Sequence, residues 1–60
     1  MNVYRVETCH PDTPTMLLTY YTVTARSVTQ AIEKAKRQIE KALDPRELIR
    51  SVIFRERIDD

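Results

Sequence analysis

Two adjacent residues, Cys9 and His10, are the only cysteine and the only histidine in the chain, and they are the first candidates for chemistry. A nucleophilic cysteine needs a nearby base and a third group that orients the base, and a zinc ion needs several protein ligands. Neighbouring residues on a strand point to opposite faces of the sheet, so the two side chains are not expected to meet. The pair therefore predicts neither catalysis nor metal binding.

The acidic residues also lack the spacing of a buried catalytic pair. We interpret them as solvated charges, and they include Asp12, Glu33, Glu40, Asp44, Glu47, Glu56, Asp59 and Asp60. The chain contains no glycine, which excludes the glycine-rich loop that usually holds a phosphate group. We therefore expect a protein that is not an enzyme and that uses no cofactor and no metal.

The segment with the clearest periodicity, 27–43, predicts an amphipathic helix. Ser27 and Gln30 have the spacing of a capping box at its start, and Pro45 disfavours helical geometry at Asp44 and so ends it. The apolar residues fall within an arc of about 120°, the width of a stripe that faces a core. This stripe comprises Val28, Ala31, Ile32, Ala35, Ile39, Ala42 and Leu43.

Three segments, 3–9, 16–25 and 51–58, have the composition of β-strands. The loop 10–15 contains two prolines and joins the first two strands as a loose hairpin. Alternation along each strand selects the side chains that should face the helix. With Leu48 added from the segment before the third strand, the expected core residues are Tyr4, Val6, Leu17, Tyr21, Val23, Leu48, Val52 and Phe54.

The segment that precedes the third strand allows two interpretations. Asp44, Pro45 and Glu47 have the order of a helix start, which predicts a single helical turn over 45–49. The alternative is a continuous second helix over 45–57.

The order strand, strand, helix, strand predicts a small single α+β domain over residues 1–60. A hairpin followed by a right-handed crossover places the third strand beside the first, which gives an antiparallel sheet of order 2-1-3. The helix then packs on one face of the sheet as a two-layer sandwich. One helix leaves the other face of the sheet uncovered.

The uncovered face is the best candidate for a binding surface, because aromatic and arginine side chains are enriched in interaction hot spots. The residues assigned to it are Arg5, Met16, Leu18, Tyr20, Ile53, Arg55 and Arg57. A shift of one residue in the facing of the strands would instead make this set the core.

The composition is that of a soluble protein in a reducing compartment. The net charge is +1, 42% of the residues are hydrophobic and 32% are charged. The first residues lack the apolar segment of a signal peptide, no segment approaches a membrane span, and the lone cysteine favours a cytoplasmic location.

Two functions follow as hypotheses. The first is a protein-interaction module that associates with itself, as a homodimer or larger homo-oligomer, through the uncovered face or a strand edge. In its size and lack of catalytic motifs it resembles the small accessory proteins of bacteriophages and mobile elements, some anti-CRISPR inhibitors among them, although no motif assigns roles to residues. The second is a nucleic-acid-binding domain that uses either the arginines of the uncovered face or the helix row Lys34, Arg37 and Lys41. The near-neutral net charge disfavours the second hypothesis.

Overall fold

A computed structural model describes residues 1–41 and 46–58 of the chain. Strands β1 (Asn2–Cys9), β2 (Thr19–Ala25) and β3 (Leu48–Arg57) form one antiparallel sheet in the order β2-β1-β3, and helix α1 (Val28–Lys41) lies between β2 and β3 in the chain. The predicted α+β fold, its topology and its strand order are therefore confirmed.

The central strand β1 determines which side chains share a face. Tyr4 lies opposite Val23 and Phe54, while Val6 lies opposite Tyr21 and Val52. Paired residues of an antiparallel sheet point to the same side, so these positions all belong to the face on which α1 packs. The predicted facing of β1 and β2 is correct.

Two small residues of α1 are fully buried against the sheet. Ala31 and Ala35 are fully buried, and the absence of longer side chains at these positions lets the helix approach the strands. They join the buried side chains of Tyr4, Val6, Val23 and Ala25, with partly buried residues packed around them: Tyr21, Ile49 and Val52. This single layer between helix and sheet is the core.

The start of α1 agrees with the prediction. The amide of Gln30 donates to Oγ of Ser27 at 3.2 Å, and the carbonyl of Ser27 accepts from the amide of Ala31 at 3.0 Å. The side chain of Gln30 reaches one residue further back than in a standard capping box and accepts from the amide of Arg26 at 2.7 Å. The predictions for Ala42, Leu43, Asp44 and Pro45 lie outside the described residues.

Four residues expected in the core are exposed. Leu17 precedes β2 and is therefore outside the sheet. The strand begins at Thr19 rather than at residue 16, because the backbone before it forms two successive turns that share Thr13. A helix about 10 Å wide covers about two strands, and Phe54 on the edge strand β3 is left 56% exposed. Leu48 and Val28 are each 50% exposed, one at the start of β3 and the other in the first turn of α1.

Strand β3 begins earlier than predicted and is irregular. It already includes Leu48 and Ile49, so a helical turn through these two residues is wrong, as is the alternative of a second helix. Its register against β1 shifts at two points, which leaves Arg50 and Arg55 as extra residues in β-bulges. The second bulge places Arg57 opposite Asn2, on the helix side of the sheet, so its assignment to the uncovered face is wrong.

Candidate functional site

The face of the sheet opposite α1 carries no covering element among the described residues. It is formed by Val3, Arg5, Glu7, Tyr20, Thr22, Thr24, Arg50, Ser51, Ile53, Arg55 and Glu56, and we call it the uncovered face. Tyr20 is 52% exposed and Ile53 is 40% exposed, which leaves one large aromatic and one large aliphatic side chain in contact with solvent.

At the centre of this face, the guanidinium carbon of Arg5 lies 4.0 Å from the centroid of the Tyr20 ring. Such a cation–π contact is worth about 0.5–1 kcal/mol at an exposed site, and it fixes the direction of an otherwise flexible side chain. The Nε atom of Arg5 is 3.2 Å from Oε2 of Glu7, yet its N–H is not aligned for a hydrogen bond with any described residue. Arg5 is thus held in place by stacking and charge while its side chain remains 30% exposed.

Glu7 connects the central strand to β3 on the same face. Its Oε1 accepts a 2.9 Å hydrogen bond from Oγ of Ser51 and lies 3.5 Å from a terminal nitrogen of Arg50. With Arg5 on its other oxygen, the carboxylate is balanced by two guanidinium groups. The bulge at Arg50 is what brings two consecutive residues of β3 to this one carboxylate.

The second bulge shapes the opposite end of the face. Arg55 and Glu56 border a shallow depression together with Val3, Arg5 and Tyr20. Here the described charges are not paired with one another, in contrast to the network at Glu7. A contacting group at this end would meet an arginine, a carboxylate and an aromatic ring.

Of the seven residues predicted for this surface, four are brought together: Arg5, Tyr20, Ile53 and Arg55. Met16 and Leu18 lie before β2 and are 64% and 44% exposed, and the amide of Leu18 donates to the carbonyl of Thr8 at 2.9 Å. They extend the exposed apolar surface beyond the end of the strand. Arg57 lies on the other side of the sheet.

The predicted basic row on α1 is only partly available. Nζ of Lys34 donates to the carbonyl of Thr24 at 2.5 Å, so this lysine attaches the helix to β2. Arg37 and Lys41 remain exposed.

No pattern in the residue types indicates the buried polar cluster on the helix side of the sheet. Glu47 was expected to be solvated but is only 6% exposed; its Oε1 accepts a 2.6 Å hydrogen bond from Oγ1 of Thr8. The hydroxyl of Tyr21 donates to the same carboxylate, at 3.0 Å to Oε2 and 3.2 Å to Oε1. Burial, the hydrogen bond to Glu47 and the charge of Glu47 raise the pKa of Tyr21. The three residues connect β1, β2 and the segment before β3.

The residues first considered for chemistry lie at the end of β1. Cys9 is buried, and His10 forms an isolated bridge with Thr13 at the end of β1. Within residues 1–41 and 46–58, no group of three histidine, cysteine, aspartate or glutamate residues is placed to hold a metal ion. No helix in this described part of the chain is long and apolar enough to cross a membrane.

Comparison of the chain with models of protein families, with curated proteins and with solved structures finds no match. The functional interpretation of the protein is therefore based on the geometry of the uncovered face.

Proposed function

We propose that the protein is a non-enzymatic, cytoplasmic protein-interaction module that binds its partner through the uncovered face. The observation that carries the proposal is the stacking of Arg5 on the exposed ring of Tyr20, at 4.0 Å, in the middle of a sheet face that no described element covers. Tyrosine and arginine, together with tryptophan, are the residue types enriched in the hot spots of protein–protein interfaces.

The surface favours a partner that offers both carboxylate and apolar groups. Arg5 is held over the ring before binding, so little side-chain entropy remains to be lost when it meets a carboxylate. Arg55 adds a second cation at the edge of the depression, and the exposed Ile53 adds apolar area. A small accessory or inhibitory protein of the phage type would act in this way, by occupying a surface of its target.

Comparative affinity capture from a lysate of the native host tests the proposal. The wild-type bait is compared with Tyr20→Ala, and Val28→Ala serves as the matched control because Val28 is also about half exposed but lies on α1. We expect a protein that is retained by the wild type and by Val28→Ala and is lost from Tyr20→Ala. Equal retention by all three baits would contradict the proposal.

Nucleic-acid binding through Arg37 and Lys41 is the alternative function. It predicts a mobility shift of a nucleic-acid probe that weakens steeply with added salt. The shift would be abolished by replacing both residues with alanine and would be unaffected by Tyr20→Ala. Such a result would replace the proposal.

A further inference from the structure

Strand β3 lies at one edge of the sheet, and no described element pairs with its free side. Exposed edges carry unpaired backbone groups, and proteins usually protect them with proline, charged side chains or β-bulges. In β3 the charged residues and both bulges lie toward the two ends, and the stretch Val52, Ile53 and Phe54 between the bulges has no charge and no proline. Phe54 and Ile53 are 56% and 40% exposed, and they point to opposite faces of this edge.

The ladder between β1 and β3 indicates which backbone groups of β3 are free. Met1 and Ile58 exchange two hydrogen bonds, at 2.7 and 3.1 Å, and therefore form a hydrogen-bonded pair. Such pairs alternate with non-hydrogen-bonded pairs along an antiparallel ladder, and each bulge places two residues opposite one. When this alternation is continued from Ile58 along β3, Ile53 falls in a hydrogen-bonded pair with β1. The backbone amides and carbonyls of its two neighbours, Val52 and Phe54, therefore point away from β1 to the free edge.

The two bulges are arranged symmetrically about Ile53. Arg50 and Ser51 both approach Glu7, and Arg55 and Glu56 both border the depression, so each bulge presents two consecutive residues on the uncovered face. Between them, Ile53 belongs to the uncovered face while Val52 and Phe54 belong to the helix side.

From this symmetry we infer that β3 pairs antiparallel with β3 of a second copy of the chain, with the two-fold axis at Ile53. Each Ile53 then faces its own counterpart, and Val52 exchanges backbone hydrogen bonds with Phe54 of the second copy. The two sheets join into a continuous six-stranded sheet with both helices on one side. This inference concerns the strand edge and stands independently of the proposed function.

Charge and facing both select this register. Arg50 lies opposite Glu56 of the second copy, and two-fold symmetry repeats the pair, with both residues on the uncovered face. On the helix side, the exposed ring of Phe54 packs across Val52. A pairing centred on Val52 would place Arg50 opposite Phe54, which lies on the other face.

Sedimentation equilibrium and directed disulfide formation test the inference. In this register the two copies of Ile53 form a non-hydrogen-bonded pair, whose Cα atoms lie about 4.5 Å apart, within the range of a disulfide. In a Cys9→Ala background, Ile53→Cys should therefore oxidise to a covalent dimer. Thr22→Cys is the control, since Thr22 is exposed on the same face but belongs to β2. If Cys9→Ala does not fold, the comparison is made with the buried Cys9 retained.

A second pair of variants tests the interface without cysteine. Phe54→Lys should raise the dimer dissociation constant at least about tenfold. Val28→Lys, which introduces the same charge at a similarly exposed apolar position on α1, should leave the constant unchanged. A wild type that stays monomeric at every concentration would overturn the inference, as would a dimer in which Ile53→Cys cross-links no better than Thr22→Cys.

Discussion

Thr8 and Glu47 are joined by a 2.6 Å hydrogen bond although they lie 39 positions apart in the chain. Thr8 is fully buried on the central strand, and its Oγ1 also lies 3.2 Å from the carbonyl of Thr19. A buried carboxylate is tolerated only where donors replace the water it loses. Here the hydroxyls of Thr8 and Tyr21 fulfil that role and attach the segment before β3 to the sheet.

Thr8→Val should therefore destabilise the fold. The substitution keeps the shape of the side chain but removes a donor to the buried carboxylate of Glu47, and we expect the free energy of unfolding to fall by about 1–3 kcal/mol. Thr22→Val is the control, because it makes the same change on the exposed face of β2 and should alter stability by less than about 0.5 kcal/mol. Urea denaturation of both variants measures the difference, and equal effects would contradict the role of the cluster.

The raised pKa of Tyr21 predicts a loss of stability in alkali. Burial, then the hydrogen bond and charge of Glu47, raise this pKa above the ordinary value of 10.0. Between the unfolded and folded pKa values the folded protein binds more protons, so the free energy of unfolding falls as the pH rises through 10.0 toward the folded value. Tyr21→Phe removes this contribution and should show a shallower alkaline decline in denaturation experiments. An equal alkaline decline in the free energy of unfolding for wild type and Tyr21→Phe would contradict the proposed link between the pKa of Tyr21 and stability.

The cap of α1 gives a third prediction. Ser27→Ala removes the acceptor for the amide of Gln30 and should lower the free energy of unfolding by about 1 kcal/mol. Thr29→Ala is the control. Thr29 is exposed in the first turn of α1 and lies outside the hydrogen bond between Ser27 and Gln30, so we expect no such loss, since alanine favours the helix. Thermal unfolding followed by circular dichroism separates the two variants. Equal destabilisation would mean that Ser27 does not act as the cap.

Glu7 should show a salt-dependent contribution. Glu7→Gln removes the charge that Arg5 and Arg50 share and should cost about 1 kcal/mol at low salt, since each partly exposed ion pair contributes about 0.2–1 kcal/mol. Added salt should reduce the difference from the wild type, because screening weakens such pairs. If the stability difference between wild type and Glu7→Gln does not change with salt, the effect comes from the hydrogen bond with Ser51 and not from the ion pairs.

Local patterns were sufficient to predict the three strands, the helix and their order. The alternation of Tyr4 and Val6 placed β1 correctly, and the spacing of Ser27 and Gln30 identified the start of the helix. Strand order followed from connectivity, because a short hairpin and one right-handed crossover leave few arrangements. The choice between the two faces of β2 was also correct, since Val23 and Ala25 are buried.

The errors concern features that depend on tertiary contacts. Alternation along the strands assigns Leu17 and Phe54 to the core, but burial also depends on where β2 begins and on the width of the helix that covers the sheet. The bulge that turns Arg57 to the helix side has no signature in the residue types. Glu47 appeared to be a surface charge, because its partners Thr8 and Tyr21 are distant in sequence.

The central claim, that the uncovered face binds a protein partner, is tested most directly by calorimetric titration of a captured partner. We predict that Tyr20→Ala raises the dissociation constant at least about tenfold, because it removes both the exposed ring and the support of Arg5. Val28→Ala should bind like the wild type. A dissociation constant that is the same for the wild type and Tyr20→Ala, with both proteins folded, would contradict the claim.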